Sequence, residues 1–544
     1  MKTINKKLKI GILIRDVENW RNWEYKVLKS IIEHPNLELS LICKRGMPAT
    51  RSRKKLTRNF FANLLFAFQM KIEAQMYKPK KTVNAKEIIA NIQNTETIYL
   101  NLLRLGDSDI FSKEDSDKVK SYDLDIILRL EFDNIQGEIL NAARYGIWSY
   151  HYADYETNRS KTAGFWELVN NEPCCGVTLL QLTSESDKNL VIDKAWFKWH
   201  PSCFKTGNDL KEIAVMLLFK NIDKLLFCGE FETKKSLTYY NRPYNEIALK
   251  YTLKYIFMFY FKAFACALRN FSLKRIRCWT LFIGNGSFLE STLYKINPIS
   301  MPAKEFWADP FLYEHNEQLY VFFENYPYKT KRGKISVGKV VEDGKNGYSV
   351  VEVQDVLDLD YHLSYPQIIE EDGEIFMMPE TSENKRLEIY RCIQFPGKWE
   401  LYSTAFEGEE VVDTTYFCDE NGNKWLLLNK YNSAFLYIYK IDNLKLKNIT
   451  DHRLNPVIID CKKGRNGGGI FKYENEYYRP SQINTHGIYG KGLQISKIKK
   501  LTLDEFEDEP VISVEPNFTE GLIGMHHLHQ LGDNFVFDAC YKKL

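Results

Sequence analysis

The sequence predicts an α/β domain followed by an all-β five-bladed propeller, and three observations carry that expectation. The chain opens on a strand, helix, strand succession; its second half repeats one hairpin-like unit five times; and at 544 residues it is too long for a single core. The expected organisation is an α/β domain over 1–245, a helical linker over 246–278 and a propeller over 279–544.

Lys9 to Ile14 form a continuous apolar run, as in a strand covered on both faces. Trp23, Tyr25, Val27, Leu28, Ile31 and Ile32 then follow at helical spacing, and a second strand spans Leu37 to Cys43. This order predicts a parallel sheet with a right-handed crossover. The segment after the first strand, Asp16 to Trp20, has no G-x-G-x-x-G, which disfavours nicotinamide cofactors. Although the first residues are basic, their apolar run breaks at Arg15 and Asp16, so they read as a strand rather than a signal peptide. Eleven cysteines without a C-x-x-C pair argue against a disulfide framework and against structural zinc. A cytoplasmic protein without a metal site is expected.

Lysine plus arginine (74) nearly cancels aspartate plus glutamate (71), giving a net charge of +3, so nucleic acid is not an expected partner. Charge is concentrated at Arg51, Arg53, Lys54, Lys55 and Arg58, directly before the apolar Phe60, Phe61, Leu64, Leu65, Phe66 and Phe68. The expectation is a helix with its greasy face turned inward; the alternative is peripheral contact with an anionic membrane. Tyr255 to Leu268 is equally greasy but contains Lys262 and falls short of the ~20 residues that span a bilayer. A buried or interfacial helix is expected there, with membrane docking again the alternative.

Further along, Asp125 to Leu130 reads as a buried strand, Glu138-Ile139-Leu140 and Tyr145-Gly146 as a helix end, and the next strand ends at His151. Phe165 and Trp166 open another helix, followed by Gly176-Val177-Thr178 and an acidic turn at Asp187. In this order of landmarks, the run from about Asp123 to Trp199 resembles the formyl-folate-dependent transferases, which include methionyl-tRNA, glycinamide ribonucleotide and sugar N-formyltransferases. The resemblance implies a formyltransferase-like domain with a Rossmann-like parallel sheet and 10-formyltetrahydrofolate as cofactor. It further implies that His151 polarises the formyl oxygen while Asp187 holds or relays a proton. Ser149, standing where the family has asparagine, is then a weak oxyanion donor. The alternatives are a satisfied histidine in a retired site, and for Asp154 a loop-turning role.

The repeats begin after a strand at Trp279 to Phe282 and read ADPFLYEHNEQLYVFFEN from Ala308, SYPQIIEEDGEIFMMPET from Ser364, DTTYFCDENGNKWLLLNK from Asp413, GGGIFKYENEYYRPSQ from Gly467 and HHLHQLGDNFVFD from His526. Each is strand, polar turn, strand, at a spacing of roughly 50 to 60 residues, the length of a four-stranded blade. The Trp279 strand is placed to complete the last blade; a β-sandwich with a coincidental repeat is the alternative fold. Equivalent blade starts converge on one funnel, which gathers Asp309, Ser364, Tyr365, Asp413, Arg465, His526 and His527. Glu324, Glu380, Asn429, Gln482 and Asp538 at the repeat ends are expected to form a second ring. Carboxylates beside arginine, histidine and aromatics such as Trp307 suit a sugar, by hydroxyl hydrogen bonds, stacking and acid/base work. The structural alternative has Asp309 and Asp413 tying strand starts to the backbone.

Through Asp309-Pro310 this half is similar to the propellers of furanosidases and arabinanases. Through Trp307 to Leu312, Ser364 to Ile368, Pro379 to Thr381 and Tyr478 to Gln482 it resembles the propeller region of glucosamine inositolphosphorylceramide transferases. These resemblances imply a carbohydrate-active enzyme of surface-polysaccharide biosynthesis, working by formyl or glycosyl transfer on a sugar nucleotide or glycan. Asp309, Glu324, Glu380, Asp413, Arg465 and His527 are the expected sugar contacts. A non-catalytic glycan-binding scaffold and a furanosidase-like hydrolase are the rival readings.

Overall fold

The computed structural model describes residues 7–14, 20–46, 59–78, 83–105, 108–241, 244, 247–271, 277–344 and 347–542. The chain divides into two compact units, Met1–Phe264 and Ala265–Leu544. The segment expected as a linker contains a helix, Leu249–Phe271, and the division falls within it.

The first unit runs β1 (Leu8–Ile14), α1 (Asn22–Glu33), β2 (Leu37–Arg45), α2 (Phe60–Met76), β3 (Thr97–Leu100), β4 (Ile126–Arg129), β5 (Ile147–His151), β6 (Cys175–Gln181), β7 (Leu190–Phe197), α3 (Cys203–Cys228), β8 (Lys234–Lys235) and α4 (Leu249–Phe271), with shorter elements between. Its main sheet has the order β8-β7-β6-β5-β4-β1-β2-β3. The five strands from β5 to β3 are parallel, while β6, β7 and β8 pair antiparallel. The expected parallel sheet is therefore a mixed one. The connection over 182–189 between β6 and β7 is too short for the crossover that parallel pairing needs. Ile10, Ile12, Leu13, Ile126 and Ile127 are fully buried, which explains their unbroken apolar runs. The chain runs from β1 through β2 to β3 and then returns to the other side of β1 as β4, so the strand order reverses between β1 and β4.

α2 departs from expectation. Phe60, Phe61, Leu64 and Phe68 lie on its exposed side, whereas Ala62, Gln69 and Glu73 are buried. Residues 60–68 are apolar almost all round, and a helix packed along one stripe cannot bury them all. The basic residues Arg51 to Arg58 lie outside the described residues.

The second unit is built from five antiparallel sheets. The first comprises Glu305–His315, Gln318–Pro327, Lys334–Glu342 and Tyr348–Leu357, and the second Ser364–Glu371, Glu374–Glu380, Leu387–Gln394 and Lys398–Ala405. The third orders Val411–Cys418, Lys424–Lys430, Phe435–Ile441 and Ile449–Asp451; the fourth Arg465–Asn466, Glu476–Ile483, Gly492–Leu501 and Phe506–Val514. In the fifth, Arg277–Asn285 pairs with Asn534–Lys542, which pairs with Leu522–Leu531. Two-residue turns with positive φ at both positions, Asn316-Glu317 and Asp372-Gly373, join first to second strands, and Glu474-Asn475 likewise joins a short strand, Phe471–Tyr473, to Glu476–Ile483, matching the strand twist.

Consecutive sheets pack against one another, and the fifth packs against the first. The tightest approach is at Gly468, whose φ is +126° and where a Cβ would stand 1.7 Å from the Leu528 carbonyl oxygen. Only glycine permits it.

Candidate active site

Four first strands share one irregularity. The ladder breaks between Ala308 and Phe311, Ser364 and Gln367, Val412 and Thr415, and Met525 and Leu528. Within three of these breaks a non-glycine residue takes the left-handed conformation: Asp309 (φ 50°), Tyr365 (φ 50°) and Asp413 (φ 46°). Such backbone costs of order 1–3 kcal/mol and persists only where surrounding contacts impose it. Tyr365 is held by its hydroxyl, 2.8 Å from Thr415 Oγ1 and donating to the Gly468 carbonyl at 2.9 Å. A bulge re-aims side chains out of the strand alternation. The result is a cavity of about 400 Å³ lined by Asp309, Ser364, Asp413, Arg465 and His526 from first strands, Glu324 and Glu380 from second strands, and Trp279, Phe306, Tyr326, His362, Tyr489 and Arg277.

The repeat-end residues do not form a separate ring. Ala308 pairs with Glu324 and Ser364 with Glu380, so these glutamates sit in register beside the first-strand residues and line the same cavity. Asn429, Gln482 and Asp538 are instead spent on the framework. Asn429 donates to the carbonyls of Phe435 and Gly464, and Gln482 Nε2 to Asp413 Oδ2 at 3.0 Å. Asp538, fully buried, accepts the backbone N–H groups of Asp309, His526 and His527. The strand-tying role considered for Asp309 and Asp413 thus belongs largely to Asp538.

Of the two histidines, His526 lines the cavity, stacked on Trp279 with centroids 3.9 Å apart. His527, the one expected to touch sugar, is buried between Phe311 and Tyr365. Alternate residues of a strand face opposite ways, and the bulge here hands the cavity to His526.

Electrostatics divides the carboxyls into two kinds. Burial raises Glu380 to about 8, with the negative Asp413 adding to the rise and Arg465 and Ser382 opposing it. Glu324 is pushed well above the ordinary range by burial and then by Asp309, Glu380 and Asp538. Asp309 goes the other way: burial acts to raise it, but His526 and His527 outweigh that and hold it below the usual aspartate value. Burial also opposes protonation of His526, yet Asp538 and Asp309 overcome it and raise the ring above an ordinary histidine. Arg465 is locked to Asp413 through Nε and lies 5.0 Å from the Tyr489 ring centroid. One cavity therefore holds a carboxyl that keeps its proton near neutral pH, a carboxylate held ionised and the Arg465 cation, the equipment for acid/base work on a polar substrate.

A second cavity, of about 1070 Å³, lies in the first unit and is lined by Arg129, Ser149, His151, Arg159 and Asp187 among others. It gathers the three residues assigned to formyl transfer, but their groups are engaged elsewhere. His151 Nε2 is 2.6 Å from the Asn158 carbonyl, which only accepts, so the ring's proton is committed there. Burial lowers this histidine to about 4, keeping it neutral. Ser149 Oγ accepts from Arg129 Nε at 2.7 Å. Asp187, in a single turn at Ser186–Lys188, is 89% exposed and faces Arg159 at 3.3 Å. Asp154 pairs with Lys194 at 2.6 Å and accepts from the Glu156 N–H, as a turn-forming aspartate does. Of this set His151 has its ring proton committed to Asn158, while the Ser149 hydroxyl keeps its own proton, 3.5 Å from the Tyr150 carbonyl, and Asp187 stands at the surface.

Trp279, Phe306, Tyr326, His362, Tyr489 and Arg277 went unrecognised as cavity residues. Trp279 lay in a strand already assigned to the last sheet, and the strand alternation was the available signal. Tyr489 and His362 come from loops, whose paths no repeat pattern specifies.

Comparison with known proteins places the second unit more closely. The family described as glucosamine inositolphosphorylceramide transferase 1, N-terminal, matches residues 292–524. The curated protein of that name from Oryza sativa subsp. indica is 33% identical over 214 residues, covering 38% of this chain and 28% of the relative. The chain thus spans little more than a quarter of that relative's length. Among solved structures, a GH43 enzyme from Xanthomonas citri aligns at TM-score 0.32 and 9% identity over 44% of this chain and 88% of its own. A Mycobacterium tuberculosis protein described as a candidate sugar N-formyltransferase aligns at TM-score 0.25 and 11% identity over 43% and 74%. Both superpositions are too loose to carry an argument.

Proposed function

We propose that the second unit is a closed five-bladed propeller whose cavity binds a sugar, and that the protein is a carbohydrate transferase of glycan assembly. The observation that carries the reading is the pairing, in one cavity, of Glu380 held protonated near neutral pH with Asp309 held ionised. Glycosyl chemistry asks for such a pair: an acid to protonate a departing oxygen and a carboxylate to accept a proton or steady positive charge. Asp413, tied to Arg465 and Gln482, positions the cation at the wall, and Tyr489, 40% exposed, offers a ring for stacking on a sugar face. The cyclic packing of the five sheets supports ring closure.

The names of the matched relatives support transfer rather than hydrolysis, and an amino sugar as one substrate is the class drawn from them. Formyl transfer in the first unit is not part of this reading, since His151 has its ring proton committed to the Asn158 carbonyl.

The test is calorimetric titration of the full chain with glucosamine, N-acetylglucosamine and short glycans containing them. Alongside run Tyr489→Ala and Asp309→Asn, with circular dichroism to verify folding. Saturable binding that weakens at least about tenfold in both variants is expected, one stacking ring or charged hydrogen bond being worth ~1.5 kcal/mol or more. A wild-type chain that binds none of these ligands at millimolar concentration sinks the reading.

A further inference from the structure

α2 and α4 lie side by side in the first unit. Phe66 and Tyr255 have ring centroids 6.2 Å apart, and the Tyr260 hydroxyl donates to Gln69 Oε1 at 3.3 Å. Their inner faces are cemented by Glu73, fully buried, which accepts from Tyr255, Gln69 and Ser202. Each helix also carries an outward row: Phe61, Leu64 and Phe68 on α2, Phe257, Phe261 and Phe264 on α4, every one more than half exposed. The spacings, i, i+3, i+7 and i, i+4, i+7, make each row a single stripe. Large apolar side chains in contiguous rows at a surface mark a site that something covers.

The charge around these helices says what covers it. α2 carries Lys71 and, as its one acid, the sequestered Glu73. α4 carries Lys250, Lys254 and Lys262 in its first-unit part, and no acid there. The uncompensated charge of the two helices that expose aromatics is therefore basic. A protein partner would meet the aromatics with a shaped apolar surface and need no such cationic excess; an anionic bilayer meets both features, taking up rings at its interface and attracting the lysines with its headgroups. Among the described residues no helix is long and apolar enough to cross a membrane, so the helices would lie on the bilayer.

We infer that the paired α2 and α4 faces dock the protein onto an anionic lipid surface. The inference is independent of the sugar site, because it uses none of its residues.

The experiment is co-sedimentation of the full chain with vesicles of phosphatidylcholine alone or mixed with phosphatidylglycerol, at low salt and at about 0.5 M salt, where charge is screened beyond a few ångströms. Two variants accompany it: Phe61→Ser with Phe257→Ser, and Lys250→Glu with Lys254→Glu, all at exposed positions where folding is little affected. The expected result is binding to the anionic vesicles only, reduced by salt, abolished by the serine pair, and weakened at least about fivefold per reversed lysine. Three results overturn it: no wild-type binding at low salt, equal binding by the serine pair, or a wild-type dimer that the serine pair makes monomeric without any vesicle binding. The last would assign the face to a second copy of the chain.

Discussion

Glu380→Gln separates the electrostatic account of the cavity from a purely structural one. The carboxyl is raised to about 8 by burial first and Asp413 second, while in the unfolded chain it titrates near its ordinary 4.5. A raised acid binds its proton more tightly when folded, so it stabilises at low pH and the contribution is lost as pH climbs toward 8. The useful window is 6.5 to 8, because His362 and His529, lowered by burial, act with opposite sign below 6.5. Across those 1.5 units the folded state alone holds the Glu380 proton, which is worth about 2 kcal/mol. Glu324 and His526, both raised, lose stability in the same direction. The wild-type second unit should therefore become less stable from pH 6.5 to 8, and Glu380→Gln, neutral at every pH, should flatten that fall by about 2 kcal/mol. Urea titrations followed by tryptophan fluorescence at four pH values measure it. Parallel pH profiles for wild type and variant would refute the assignment, as would wild-type stability rising across the window.

Three further outcomes are expected. Arg465→Leu leaves Asp413 buried against Gln482 alone and should cost about 3–5 kcal/mol in a denaturant titration, whereas Arg465→Leu with Asp413→Asn, which removes the charge and keeps a residue suited to the left-handed backbone, should recover much of it. Gly468→Ala drives a Cβ into the Leu528 carbonyl and should destabilise the second unit by more than about 3 kcal/mol, read as a lower denaturation midpoint or loss of soluble protein. In the first unit, a stable formyl-folate analogue at millimolar concentration should leave the melting temperature unchanged; a saturable upward shift abolished by His151→Ala would show that the hydrogen bonds to Asn158 and Ser149 give way to the ligand.

Much was legible in the sequence because it is written in local patterns. Period-two alternation and polar turns at fixed offsets specify hairpins such as His315-Asn316-Glu317-Gln318, and five copies of one pattern specify five sheets. The continuous apolar runs of β1 and β4 specify strands covered on both faces. Repetition also puts Asp309, Asp413 and Arg465 at equivalent blade starts, and they line one cavity. The tertiary structure decided the rest, because those features depend on groups far apart in the chain. Which of His526 and His527 faces the cavity turns on a bulge whose register is set by the partner strand at Asp538. Whether Glu380 keeps its proton depends on burial and on Asp413 from the next sheet. Whether His151 has a proton to offer depends on the path of the loop carrying Asn158. Local preference writes the strands and turns; the charge state and aim of a buried side chain belong to the neighbours that folding gives it.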